Sequence, residues 1–254
     1  MERNELVLAR LSNQYLLRTG EWMEVLRAMN GFQAQFLSNA LYAMRLRSTA
    51  YDTAHAADSL VKSWTLRGTM HIFAEADLPL FLHTGCRYRS RDWTVPSFWN
   101  QRPNWALTPK RQAYFSDLII DALAQGPMTR EALKARCRAA GMTQAEEGSI
   151  FHPWGGGIRE LCERGFLCGT VSEEKAFRLC PAFTPMEEQD ALLEQTRRYF
   201  TNYGPASIRD AAYYFGSSQA EIKKRLARLP VEAAECEGQR LFSLHSGRMP
   251  EQAL

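Results

Sequence analysis

"GPMTREALKARC", residues 126–137, and "GPASIRDAAYYFG", residues 204–216, are two versions of one local pattern. Each opens with a Gly-Pro turn and then sets Thr129 or Ser207 where a hydroxyl accepts from an orphan N–H of a first helical turn. Asp210, three residues past Ser207, is spaced to bond back to the cap. Before the first copy, "PKRQAYFSDLIIDALAQ" (109–125) carries Phe115, Leu118, Ile119, Ala122 and Leu123 at helical spacing. Before the second, "EEQDALLEQTRRYFTNY" (187–203) carries Leu192, Leu193, Thr196, Tyr199 and Phe200 in the same way.

The stretches after the two copies also match. A further helical run passes through "IRELCERG" (158–165) in the first and "SSQAEIKKRLARL" (217–229) in the second. Each copy closes on a hairpin pattern, at 166–180 and 231–244. Helix, turn, helix, turn, helix and hairpin in about 75 residues is the layout of a winged helix. The N-terminal third fits the same plan, with helical patterns over 4–10, 21–29 and 36–47, a further one over "DTAHAADSLVKSW" (52–64), and "LRGTMHIFA" (66–74) reading as a strand entered through Gly68. The fold expected is mainly α with small β-hairpins (α+β), in tandem winged-helix units: 1–105 with a basic aromatic connection, 106–183, and 184–254. An all-α chain with incidental hairpins is the alternative.

Composition narrows the function. The chain has 254 residues, 45% hydrophobic and 23% charged, which is ordinary for a globular protein. No run approaches a membrane span, and "MERNELVLAR" is too charged for a signal peptide, so a cytoplasmic protein is expected. The six cysteines form no C-x-x-C pair and share no zinc spacing with the five histidines, so neither a metal nor another cofactor is expected. Net charge is only +3, but residues 1–110 hold 13 Lys and Arg against 9 Asp and Glu, whereas 111–254 hold 18 against 19. Within the basic part, residues 86–111 set Arg87, Arg89, Arg91, Arg102, Lys110 and Arg111 among Trp93, Phe98, Trp99 and Trp105. That mixture suits a surface that tracks phosphates and stacks bases; a linker whose aromatics cover neighbouring units reads equally well.

"GFQAQF" (31–36) plants two neutral amides in an apolar run. In a helix Gln33 and Gln35 face apart; in an extended segment they share a face and can hold a water in a fixed orientation. Positioning without a base helps only where the leaving group is already good, and a cationic alkylated purine is one. The plain alternative is a pair of surface or capping glutamines. "HPWGGGIRE" (152–160) fits no phosphate-loop pattern and reads as a flexible break between helices.

Taken together, "GFQAQF", "TLRGTMHIF", "ALAQGPMTREAL", "LCERGFLCG" and "RYFTNYGPASIRDAAYYFG" resemble, in order and spacing, the winged-helix DNA glycosylase family of the AlkZ/YcaQ-like kind, in its Q-x-Q form. The resemblance covers nearly the whole chain. It implies excision of alkylated bases from double-stranded DNA and unhooking of interstrand crosslinks joined through purine N7, with Gln33 and Gln35 positioning the water. Arg67, Thr69 and His71 match the family's RGT-x-H element and, sharing one face of a strand, would grip the backbone beside the lesion; for His71 a core-edge histidine fixing the strand is the alternative. The basic segment 86–111, with Arg87, Arg89 and Arg91, would add nonspecific affinity, and the protein so read is a monomer, nucleoid-associated when bound to DNA. Family members usually continue past the third unit into further β structure, whereas this chain ends at "HSGRMPEQAL"; Tyr213, Tyr214 and Phe215 stand where the family tends to show a Trp-containing stretch. Two rival readings are a transcription regulator that reads the major groove through Lys223, Lys224, Arg225 and Arg228, and a protein-interaction scaffold.

Overall fold

The computed structural model describes residues 1–49, 59–172 and 174–244 and, at Arg67, the main chain. The chain opens with α1 (Arg3–Asn13), the short strand β1 (Gly20–Glu21) and α2 (Trp22–Ala28). Then come β2 (Phe32–Gln33), α3 (Leu37–Arg47), β3 (Ser48–Thr49), β4 (Leu60–Trp64), β5 (Met70–Ala74) and the single turn α4 (Leu78–Phe81). The central part holds α5 (Pro109–Leu123), β6 (Met128–Thr129), α6 (Arg130–Ala139), α7 (Gln144–Ile150), α8 (Gly156–Glu163), β7 (Leu167–Gly169) and β8 (Ala176–Leu179). The last part holds α9 (Glu188–Asn202), α10 (Ile208–Phe215), α11 (Gln219–Leu226), β9 (Glu232–Cys236) and β10 (Gln239–Ser243). The fold is α+β, and the winged-helix layout recurs along it.

The caps act as their residue types require. Thr129 Oγ1 accepts from the Ala132 N–H, and Ser207 with Asp210 forms a reciprocal capping box. In the central unit β6 pairs with β8 and β7 with β8, closing the wing; in the last, Ala206 bridges to Phe242 on the β9–β10 hairpin. Two differences from the sequence reading appear in the first part. Residues 60–64, read as the end of a helix, form β4: "LVKSW" buries Leu60, Val61 and Ser63 and pairs along its length with β5, so sheet hydrogen bonds override the local helical pattern. Residues 50–58 of that stretch, and the terminal "HSGRMPEQAL", lie outside the described residues. The strand expected over 66–74 begins only at Met70, because Leu66–Gly68 is a 3-10 turn at the head of the β4–β5 hairpin.

The wings of the first and central parts merge into one antiparallel sheet, ordered β2-β5-β4-β7-β8-β6. They meet at a single register pair, Lys62 with Gly169. Separate apolar cores lie beneath the first part, around Leu26, Met29 and Ile72, and beneath the central part, around Phe115, Leu133 and Leu161. Helix α9 then locks the last part onto the first. Arg198 donates 2.8 and 3.0 Å bonds to the buried carboxylate of Asp77, Gln195 Nε2 donates to the Leu80 carbonyl at 2.8 Å, and the Tyr203 hydroxyl donates to the Met29 carbonyl at 3.1 Å.

The basic aromatic segment proves to be a packed strap. Trp93 and Trp99 are buried, and the guanidinium of Arg164 lies 4.2 Å from the Trp93 ring centroid while donating to the carbonyls of Ser90 and Asp92. The side chains of Arg164 and its partner Glu160 are each 4% exposed, and Gln112 donates to the same carboxylate at 2.9 Å. An ion pair so deeply buried is sustained by its extra hydrogen bonds.

Candidate active site

Gln33 and Gln35 line one cleft of about 610 Å³, within the usual range for small-molecule sites. Their convergence starts at Gly31, whose φ of +76° lets the main chain reverse after α2 and run against β5; a Cβ there would sit 2.5 Å from the Ile72 carbonyl oxygen. From Phe32 the backbone is extended: Gln33 pairs with His71, and the Ala34 N–H donates to Met70 O at 2.7 Å. Alternation then buries Ala34 completely and leaves Gln33 and Gln35 exposed on the same side. Of the two conformations the sequence left open, the extended one is present.

The opposite walls are cationic. Lys62, on β4 at the seam between the two wings, and Lys175, before β8, face the cleft with Arg130 and Arg159. Burial lowers the Lys62 ammonium below its ordinary value, and the charge of Lys175 lowers it further, as expected of two cations held close without an anion between them. Burial also lowers the Arg130 guanidinium, which donates to the His152 carbonyl at 2.7 Å. Arg159 is paired with Glu163 at 2.7 Å; burial raises that carboxyl above the usual range, with the Arg159 charge opposing. Among the described lining residues there is no carboxylate and no imidazole.

Of the other expected contacts, only Thr69 is among the described residues that line the cleft. Thr69 lines the cleft, its hydroxyl donating to the Leu66 carbonyl at 3.0 Å. His71 does not line it: the residue is 6% exposed, with Nδ1 3.1 Å from the Thr69 carbonyl oxygen. It stands directly across from Gln33 in the sheet, a placement that fits the core-edge alternative. Arg67 falls in the Leu66–Gly68 turn, before β5 begins, and its side chain lies outside the described residues. Arg87, Arg89 and Arg91 are not in the cleft either. Arg87 donates to the Pro96 carbonyl, Arg89 to the Cys180 carbonyl, and Arg91 pairs with Asp117 and lies over the Phe166 ring. These contacts tie the segment to its neighbours, as the linker alternative expects, while all three residues stay exposed. In the rival recognition helix, Lys223 and Lys224 are exposed, whereas Arg225 is partly buried and Arg228 reaches Asp190 at 3.7 Å.

Sequence reasoning missed Lys62, Lys175, Arg130, Arg159 and Trp154. Lys62 was hidden by the helical reading of its strand, Lys175 by its place in a charged hairpin turn, and Trp154 by glycines that suggested only looseness.

Winged-helix units with a carboxylate-free, cationic cleft define a protein shaped for a polyanion. The profile of the family described as DNA glycosylase AlkZ-like matches residues 26–253, and the chain belongs to that family. It is 28% identical over 243 residues to the Streptomyces sahachiroi protein named interstrand DNA cross-link repair glycosylase, across 87% of this chain and 63% of that protein. The chain therefore spans less than two thirds of that relative's length. The solved structure of Streptomyces sahachiroi DNA glycosylase AlkZ matches with a TM-score of 0.73 at 24% identity, over 96% of this chain and 70% of that one, a likeness of fold.

Proposed function

We propose that the protein is a monomeric, cofactor-independent DNA glycosylase that hydrolyses the N-glycosidic bond of cationic, N7-alkylated purines in duplex DNA. In this reading it also unhooks crosslinks joined at N7, in keeping with the name of its Streptomyces relative. The chain reads as three winged units, 1–105, 106–183 and 184–254, with the reaction at the seam of the first two. The observation that carries this reading is the makeup of the cleft: both amides in its lining, four cations with them, and no carboxylate or imidazole among the described lining residues.

Gln33 and Gln35 orient a water through their carbonyl oxygens and amide N–H groups. The water oxygen attacks C1′ as the C1′–N9 bond breaks. The bonding pair moves into the purine, cancelling its positive charge, and the water's proton leaves to solvent. No strong base is needed, because the cationic ring departs neutral; what the enzyme supplies is proximity and fixed dipoles. Lys62 and Lys175 hold the phosphates beside the lesion, where an anion relieves their mutual repulsion.

Incubating the protein with duplex DNA carrying one N7-methylguanine and scoring alkali-labile abasic sites tests the reading. Abasic sites with the wild type, and few with Gln33→Ala or Gln35→Ala at unchanged DNA binding, are expected. No abasic sites despite salt-sensitive binding would leave a winged-helix binder with structural glutamines.

A further inference from the structure

Trp154 is 70% exposed, whereas the other tryptophans of the chain are buried or half-buried. A bare indole in water forfeits a large burial, so its setting matters. Trp154 lines the same cleft as Gln33 and Gln35, on the turn that leads into α8.

That turn is held, where the sequence suggested a loose break. The His152 carbonyl accepts from Arg130 at 2.7 Å and from the Gly155 N–H at 2.8 Å. Nδ1 of His152 accepts from the Trp154 N–H at 3.2 Å, and its ring packs 5.2 Å from that of Trp99, which is buried. Gly155 and Gly156 take φ of +137° and +62°, conformations costly for any other residue, and a Cβ on Gly156 would clash with the Ser149 carbonyl oxygen. The loop is rigid in its hydrogen bonds yet leaves its largest side chain uncovered.

The cleft presents this ring to a specific problem. A cationic base must be preferred over a neutral one, but the described walls carry cations and no carboxylate. Of the groups there, the glutamine carbonyl oxygens and an aromatic face attract positive charge; the carbonyls hold the water in this reading, which leaves the aromatic face, through its quadrupole, for the base. Phe177 is 8% exposed and Trp64 is partly buried against the central core, so neither offers a free face comparable to that of Trp154.

We propose that Trp154 is the specificity-determining residue of the site, stacking on the alkylated purine and selecting the cationic ring over a neutral one of the same shape. The assignment rests on the glycosylase reading. Lys62 and Lys175 take the phosphates while the indole takes the charge on the base. A cation–π contact of the usual size discriminates about threefold to thirtyfold.

The test compares wild type, Trp154→Phe and Trp154→Leu for binding to two duplexes. One carries 2′-fluoro-N7-methyldeoxyguanosine, which is cationic and resists cleavage; the other carries 7-deaza-7-methyldeoxyguanosine, which has the same outline and no charge. The wild type should favour the cationic duplex about tenfold, Trp154→Phe should keep part of that preference, and Trp154→Leu should fall to within about twofold of none. Wild type and Trp154→Leu discriminating equally, or no discrimination by wild type, overturns the assignment. Melting temperatures of the variants should match wild type, since the ring is exposed. Excision of N7-methylguanine by wild type is scored separately: abasic sites with an unchanged binding ratio overturn Trp154 alone, and no abasic sites overturn the glycosylase reading beneath it.

Discussion

Replacing both Lys62 and Lys175 by Gln should change how DNA binding depends on salt, by an amount the cleft lets one work out. Four cations line it, but two are committed elsewhere: Arg159 to Glu163 at 2.7 Å, and Arg130 to the His152 carbonyl at 2.7 Å. Among the described residues Lys62 and Lys175 have no acidic partner, and the Lys62 ammonium is lowered by burial first and by the charge of Lys175 second. Each phosphate neutralised by a lysine adds about 0.9 to the slope of log affinity against log salt concentration, so the double variant should lose about 1.8. Between about 50 and 200 mM salt, wild-type affinity should therefore fall about twelvefold more than that of the variant. Fluorescence anisotropy with an undamaged duplex across that range measures the slope directly. Glutamine keeps most of the stem, so the fold and melting temperature should hold. An unchanged slope would mean that phosphates are not carried across this seam, and the catalytic orientation of the DNA would have to be rebuilt from another face.

Named contacts elsewhere in the molecule set further outcomes. Gln33→Ala and Gln35→Ala should each lower single-turnover excision by about tenfold to a thousandfold while DNA affinity stays within about threefold; equal losses in both would mark the pair as structural. Asp77→Ala removes two charged hydrogen bonds from Arg198, which keeps Glu194 at 2.8 Å and the Arg27 carbonyl at 3.0 Å, and should cost about 1.5–3 kcal/mol by urea unfolding, whereas a loss below about 1 kcal/mol would show that the Asp77 pair does not help to hold α9. Hydrogen bonding and charge from Arg111 hold the Glu146 carboxyl down to about 2, against an ordinary 4.5. A depressed carboxyl stabilises the fold above the ordinary value, and that contribution is lost as pH falls from about 4.5 toward about 2. The melting-temperature gap between wild type and Glu146→Gln should close over that window, and a gap constant with pH would refute the pairing. Gly156→Ala should destabilise by about 1–3 kcal/mol through its positive φ and its clash with Ser149.

The parts of this molecule that were legible in its sequence are those determined by neighbours in the chain. Thr129, Ser207 and Asp210 could be assigned to caps because a cap is satisfied within three residues. The hairpin patterns at 166–180 and 231–244 were readable for the same reason. Lys62 was not, since "LVKSW" becomes a strand only when β5 and β7 lie beside it. At arginines 87, 89 and 91 the sequence shows charge but not the intramolecular acceptors. Their acceptors, among them the Cys180 carbonyl and the Asp117 carboxylate, lie 91 and 26 residues away. The glutamine pair was visible as chemistry but not as geometry, which depended on the turn at Gly31 and the ladder to β5.

The joint between Lys62 and Gly169 has a consequence for how such a protein changes over time. Pairing there belongs to the main chain, which is indifferent to what the side chain of residue 62 carries. The same is true on the far wall, where Trp154 hangs from a turn held by its own backbone and by His152. The cleft thus behaves as a fixed frame with exchangeable inserts at 62, 154 and 175. On the glycosylase reading, single replacements at those points retune which base is accepted, without renegotiating the architecture that sets both amides in the cleft wall.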